Sequence, residues 1–424
     1  MQTKKAGIAL LSTLCAVFMV GCIPSPPADL ATPSLQAVLP TVATPTMTET
    51  QPPVTSTPEP LKEFDAATAC VSVETQVPQG FDLKGGLFLY DPSRERSHDV
   101  VLMDLSSRSV SEFAQTGQIL IDLRISPNGA WVAYQAVNKN NYSDARLVIK
   151  NFATNATLEI PWKPAWDLSG LMKWLNGQEL LIRLQSYTYP YPLIAFNPFT
   201  QSSTDLPATF PNQEVLPPGT YVSPAEYDPS LNYVVYSAKQ NDMNGFALFD
   251  RAASAQIAFF PSQILVESGS PAWSHDGQKF VFASKMVGSD SFINVGRPDG
   301  SVTPIVNLSR LMGSFTMRSL TWSPDDKFVA VDIYDVRQET EKLLLLDLNG
   351  QKVLDPCIKI EYDLWPGDYS ASRSPTWSPD SQYLIVEEQF GEGKNKVALI
   401  DVAQMQAGIL AQDQRIAGWV SLTP

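Results

Sequence analysis

The 424-residue chain predicts an all-β fold made of repeated small sheets, and three observations predict it. One unit recurs almost verbatim: SPAWSHDGQKFVFASKM at residues 270–286, SLTWSPDDKFVAVDIYD at 319–335 and SPTWSPDSQYLIVEEQF at 374–390. Aligned on the turn after the tryptophan, seven copies fall at residues 85, 129, 177, 231, 277, 326 and 381, roughly fifty residues apart. Within each copy the apolar residues come in short Val-, Ile- and Phe-rich runs broken by turn residues, with no 3.6-residue period. Several short strands per repeat of this length make one blade of a β-propeller. The expectation is a single propeller over residues 64–424, with seven four-stranded blades, or six if the first copy is only an arm.

The chain opens with a positive head, MQTKK, followed by residues 6–20, which are apolar apart from Ser12 and Thr13. That run is shorter than the ~20 residues a membrane-spanning helix needs, and with its basic head it reads as a secretory signal. It ends in MVGC, residues 19–22, which resembles the lipobox of bacterial lipoproteins, with Met19 where the family usually has leucine. The resemblance implies that residues 1–21 are removed and that Cys22 is lipidated. Two or more acyl chains would hold the protein stably on a membrane, where one would not. The implied address is the bacterial cell envelope, with the folded part outside the cytoplasm.

Residues 23–60 hold ten prolines, eight threonines and no aromatic residue. Such a segment buries too little surface to fold, and its prolines stiffen it toward an extended helix. Residues 22–63 are therefore expected to be a tether, with ordered structure starting between Phe64 and Cys70. If Cys22 carries lipid, Cys70 and Cys357 are left, and export permits them to pair across the repeats. Two buried thiols are the alternative.

The formal net charge of −14 argues against a nucleic-acid partner, which needs a basic face. With two histidines, His98 and His275, most zinc sites and a Ser-His-Asp triad are disfavoured. No metal and no cofactor are expected. His275 stands in SHDG, where sister copies have proline, and reads as a turn residue.

The grammar of each copy explains its strands. A short strand ends in tryptophan, and an SPD-type turn follows, in which proline presets the first corner and Asp, Asn or Gly supplies the rest. Two further strands follow, as in KFVAVDI and KLLLLDLNGQ. Weaker copies begin at Gly80, Arg124, Met172 and Ala225. RIAGWVSL, residues 415–422, looks like the tryptophan strand of an eighth copy, and the first copy lacks that strand. In a ring the two lie side by side, so the C-terminal strand is expected to complete the first blade. That would hide two sheet edges.

These copies resemble the propeller repeats of the periplasmic protein TolB, which also occur in propellers of the prolyl-oligopeptidase family. The likeness covers residues 80–422 and is sharpest at residues 273–277, 322–326 and 377–381. It speaks to fold rather than function, because the motif builds the blade. TolB carries a separate α/β domain that has no counterpart here, and no GxSxG nucleophile elbow occurs.

Function is expected on the face opposite the SPD turns. SYTYPYP, residues 186–192, sets Tyr187, Tyr189 and Tyr191 on a proline-stiffened loop suited to gripping a peptide or a sugar. The insertion at residues 357–375 carries Tyr362, Asp363, Trp365, Asp368 and Tyr369, a set able to bind a carbohydrate or a cationic group. The alternative for both is packing within the fold. The leading expectation is a non-catalytic binding module for a protein, peptide or glycan. An envelope-assembly factor resembling TolB and a propeller enzyme acting on glycans are its rivals.

Overall fold

The computed structural model describes residues 64–422, apart from residues 69, 72, 75, 79, 91–99, 114–117, 139, 187–190, 214–224, 263–269, 286–289, 313–314, 336–339, 359–374 and 390–394. Thirty strands among these residues form seven sheets. Each is a blade of four antiparallel strands, here lettered A to D from the axis outward. The A strands of blades 2 to 7 are Gln118–Ile125, Trp166–Trp174, Glu226–Tyr227, Ala272–Trp273, Phe315–Trp322 and Thr376–Trp377.

Blade 1 closes the ring. The C-terminal strand Arg415–Val420 pairs antiparallel with Gly86–Tyr90, with Leu87 opposite Trp419, and so becomes strand A of the first blade. The chain thus folds as a seven-bladed propeller whose first blade is completed by its last strand.

The core has the same sevenfold order. Val, Leu, Ile and Phe on the B and C strands alternate between the two faces of each sheet, so each face meets that of a neighbouring blade. Seven buried clusters result, one at each interface between consecutive blades, including the one joining blade 7 to blade 1 around Tyr383, Ile385, Ile416 and Trp419.

An N-terminal arm runs along the outside of blades 6 and 7. Asp65–Thr68 adds in parallel to the outer strand of blade 6, with Asp65 opposite Lys352, and Val73–Glu74 does the same on blade 7, with Val73 opposite Ala407. Between them Cys70 is joined to Cys357 as a disulfide, with Cα atoms 4.8 Å apart and 287 residues of separation. The arm covers two sheet edges that would otherwise offer unpaired backbone groups.

Candidate functional site: the channel between the inner strands

The SPD turn is held by the residue types its motif names. Ser126, Ser274, Ser323 and Ser378 each donate from Oγ to the carboxylate or amide oxygen two residues on, at 2.6–2.8 Å. Each serine Oγ in turn accepts the backbone N–H of the residue at the start of strand B, from Trp131, Lys279, Phe328 and Tyr383, at 2.9–3.0 Å. Blade 4 uses Asp228 for this job, accepting from the Tyr233 amide at 2.6 Å.

Each tryptophan then ties its blade to another backbone. The indoles of Trp174, Trp273, Trp322 and Trp377 donate to the carbonyls of Arg124, Glu226, Ala272 and Thr321 in the preceding blade, at 2.8–3.2 Å. At the closure Trp419 donates to Lys84 instead, at 3.0 Å. The tryptophan motif is thus an inter-blade strut, and it fixes where the residue before the end of each inner strand sits.

Those preceding residues differ around the ring. In blades 2 to 4 they are Arg124, Lys173 and Glu226; in blades 5, 6, 7 and 1 they are Ala272, Thr321, Thr376 and Gly418. Long charged side chains stand on one side of the axis and small ones on the other. A cavity of about 460 Å³ lies between them, lined from blades 2 to 6.

Three charged side chains line this cavity. Lys173 and Glu226 form an ion pair between blades 3 and 4. Arg318 comes from blade 6, next to a register shift between Met317 and Ser319, and its Nε lies 3.7 Å from the buried Glu341. The hydroxyl residues Ser270, Ser319 and Thr321 complete that wall. Ser319 Oγ is shielded from solvent and makes no hydrogen bond among the described residues. Directly across the strand pair stands Asp332, 3% exposed, with one carboxylate oxygen that has no hydrogen-bond partner among the described residues. Burial pushes Asp332 up to about 7, against the pull of the Arg318 charge.

His275 lies at the turn end of the cavity. Its Nδ1 is 3.0 Å from Asp326 Oδ1, and Asp326 also accepts the His275 and Asp276 amides at 2.8 and 2.9 Å. Burial lifts the Asp326 carboxyl, but the bonds from His275 and Asp276 outweigh it and leave the group below its ordinary value. The expected turn role of His275 therefore includes a bridge from blade 5 to blade 6. Ser274 does not extend this pair into a nucleophile triad, because its hydroxyl is held by Asp276 and the Lys279 carbonyl.

A second polar cluster lies beside blade 3. Tyr191 is 42% exposed, and its ring covers the Arg183 guanidinium at 5.2 Å. Arg183 donates from Nε to Asp167 at 2.8 Å. Asp122 in blade 2 is pushed by burial to about 6, opposed by Arg124 and Arg183. Tyr187 and Tyr189 lie outside the described residues, as do Tyr362, Asp363, Trp365, Asp368 and Tyr369. After the outer strand of blade 3, the chain packs on blade 4, with Phe210 stacked on Tyr236 at 4.6 Å. Among the described residues no group of three His, Cys, Asp or Glu side chains is placed to hold a metal ion.

Reasoning from sequence missed the channel. Its signal was present: the residue before the last one of each inner strand is large and charged in three consecutive copies, before Ile125, Trp174 and Tyr227, and small in the rest.

No protein-family model and no curated protein matches the sequence. Solved structures share the fold. TolB from Acinetobacter baumannii is 12% identical, with a TM-score of 0.38 over 81% of this chain and 68% of that one. A TolB from Agrobacterium tumefaciens is 16% identical, with a TM-score of 0.40 over 70% and 95%. An oligogalacturonate lyase from Vibrio parahaemolyticus is 15% identical, with a TM-score of 0.51 over 80% and 90%. At these identities the likeness shows architecture alone, that of a β-propeller.

Proposed function

We propose that the protein is an exported propeller, anchored through lipid on Cys22, that holds a ligand non-covalently in its channel. The observation that carries this reading is the one-sided cavity of about 460 Å³, with Lys173, Glu226 and Arg318 in its wall. A space of this size suits a small molecule or the tip of a larger ligand. Its charged groups come from blades 3, 4 and 6, so the intact ring is needed to assemble them. Binding without a covalent step agrees with the engagement of Ser274 in its own turn.

A photo-cross-linking residue at Ser270, on the cavity wall, tests the reading in living cells. Phe199, exposed on the C–D turn of blade 3, serves as the control position. An adduct at Ser270 that is missing at Phe199 is expected. Equal labelling at both, or none at either, rejects the channel as the binding site. The anchor is tested separately: Cys22→Ala is expected to release the protein from the membrane fraction, and persistence there rejects the lipid.

A further inference from the structure

We propose that the N-terminal arm is a redox-sensitive strap. Reduction of the Cys70–Cys357 bridge releases the chain from Phe64 to Glu74 and uncovers the outer edges of blades 6 and 7, while the ring stays closed.

Little besides the bridge holds this arm. Its strands, Asp65–Thr68 and Val73–Glu74, are short, and each pairs on one side only. Further backbone bonds run from the Phe64, Asp65 and Val71 amides to the Ile305, Gln351 and Pro356 carbonyls, at 3.0–3.1 Å. Phe64 and Val71 reach the rims of two buried clusters and stay partly exposed, while Asp65, Ala66 and Glu74 face solvent. Such short edge pairing gains few bonds against the entropy of ordering the chain. The contacts change after Glu74. Val77 and Phe81 pack on the cluster between blades 7 and 1, with Phe81 5.5 Å from Tyr383. Gly408 admits the Gln76 carbonyl, which a β-carbon there would meet at 2.5 Å. The releasable unit therefore ends before Gln76.

The bridge is placed to open without unfolding the ring. Both Cys70 and Cys357 are exposed, and exposed bridges are more readily reduced than buried ones. Cys357 also holds φ at 62°, in the left-handed region that disfavours a residue with a β-carbon. The step is a thiol–disulfide exchange. A dithiol reductant gives up two electrons and two protons, its own sulfurs join, and the Cys70–Cys357 bond opens to two thiols. Neither cysteine belongs to the seven buried clusters, and the closing strand Arg415–Val420 pairs with Gly86–Tyr90, beyond the arm. Closure therefore survives the release. The outside changes: Lys352–Asp355 and Gln406–Gln412 lose their parallel partners and present backbone groups to another strand.

The experiment is hydrogen exchange of the full chain, read by mass spectrometry before and after dithiothreitol, with free thiols counted by alkylation. The reductant is expected to free both thiols and to speed exchange at least tenfold in Asp65–Thr68, Val73–Glu74 and Lys352–Asp355. Arg415–Val420 is expected to stay as protected as before. Reoxidation is expected to restore the arm. The double variant Cys70→Ser, Cys357→Ser is expected to show the open pattern with and without reductant. A bridge that resists dithiothreitol in the folded chain would overturn the proposal. So would an arm equally protected after reduction, an arm that stays open on reoxidation, or a double variant with the oxidised pattern. Loss of protection in Arg415–Val420 together with the arm would overturn it too, because the bridge would then be a staple of the whole ring.

Discussion

Asp332 shows how one carboxyl sets a pH dependence. It is buried, and its folded value of about 7 lies well above the ~3.9 of an unfolded aspartate. Between these values the folded chain keeps a proton that the unfolded chain has lost. Stability therefore falls as pH rises from about 4 to 7 and is flat outside that window. Asp332→Asn removes the titrating group at nearly constant shape. Urea unfolding is expected to give equal stabilities near pH 4 and a variant more stable by about 2–4 kcal/mol at pH 8, since one pH unit is worth about 1.4 kcal/mol. A variant less stable than the parent at pH 8 would show that the attraction of the Arg318 charge outweighs burial.

Turn glycines give a second residue-scale test. Gly129 and Gly277 both have positive φ, at 68° and 69°. A β-carbon at Gly277 meets Asp228 and Pro229 at 3.5 Å, an ordinary contact. At Gly129 it would lie 2.5 Å from the Pro379 ring. Gly277→Ala should cost about 1 kcal/mol for backbone conformation alone. Gly129→Ala should cost more, and equal losses in urea titrations would contradict the clash.

At the scale of elements, the turn alignment was legible to the residue. Of the seven aligned turn positions, 85, 129, 231, 277, 326 and 381 have positive φ, and Gly177 is the exception. The reason is chemical: Ser, Asp and Gly close the turn through fixed bonds, so the motif and the geometry are the same information. The tryptophan was read as a strand marker, while its indole N–H bond to another backbone joins sheets fifty residues apart, which no local pattern encodes. The arm was expected, but its parallel strands on blades 6 and 7 were not legible, because two residues such as Val73–Glu74 carry no periodicity. The disulfide pins this arm, and both cysteines are exposed. Cys70→Ser is expected to lower global stability by about 2–4 kcal/mol and to free residues 64–74 for proteolysis. An arm equally protected from protease after the substitution would mean that its strand pairing suffices.

At the scale of the molecule, closure is the feature on which the channel depends. Arg415–Val420 fills the inner position of blade 1 and buries Trp419 against Tyr383 of blade 7, with ring centroids 6.2 Å apart. Removing residues 415–424 exposes the edge of Gly86–Tyr90 and opens the cluster between blades 7 and 1. The truncated chain is expected to self-associate on gel filtration and to recover a monomeric state with a synthetic peptide of residues 415–422. A monomer with an unchanged melting midpoint would show that the ring does not need its last strand. The seven blades and the closing strand were legible because the repeat is written in local turns. The site was not, because it arises from a comparison among copies: Lys173, Glu226 and Arg318 are ordinary surface residues in a strand pattern until the ring faces them toward one axis.

The central claim is that the channel holds the ligand. Its most direct test is a crystal structure of the full protein purified from the cells that make it, without added small molecules. The expected result is density in the cavity within hydrogen-bonding distance of Lys173 and Ser270. Density around Tyr191 and Arg183, with only water in the channel, would contradict the claim and move the site to the loops of blade 3.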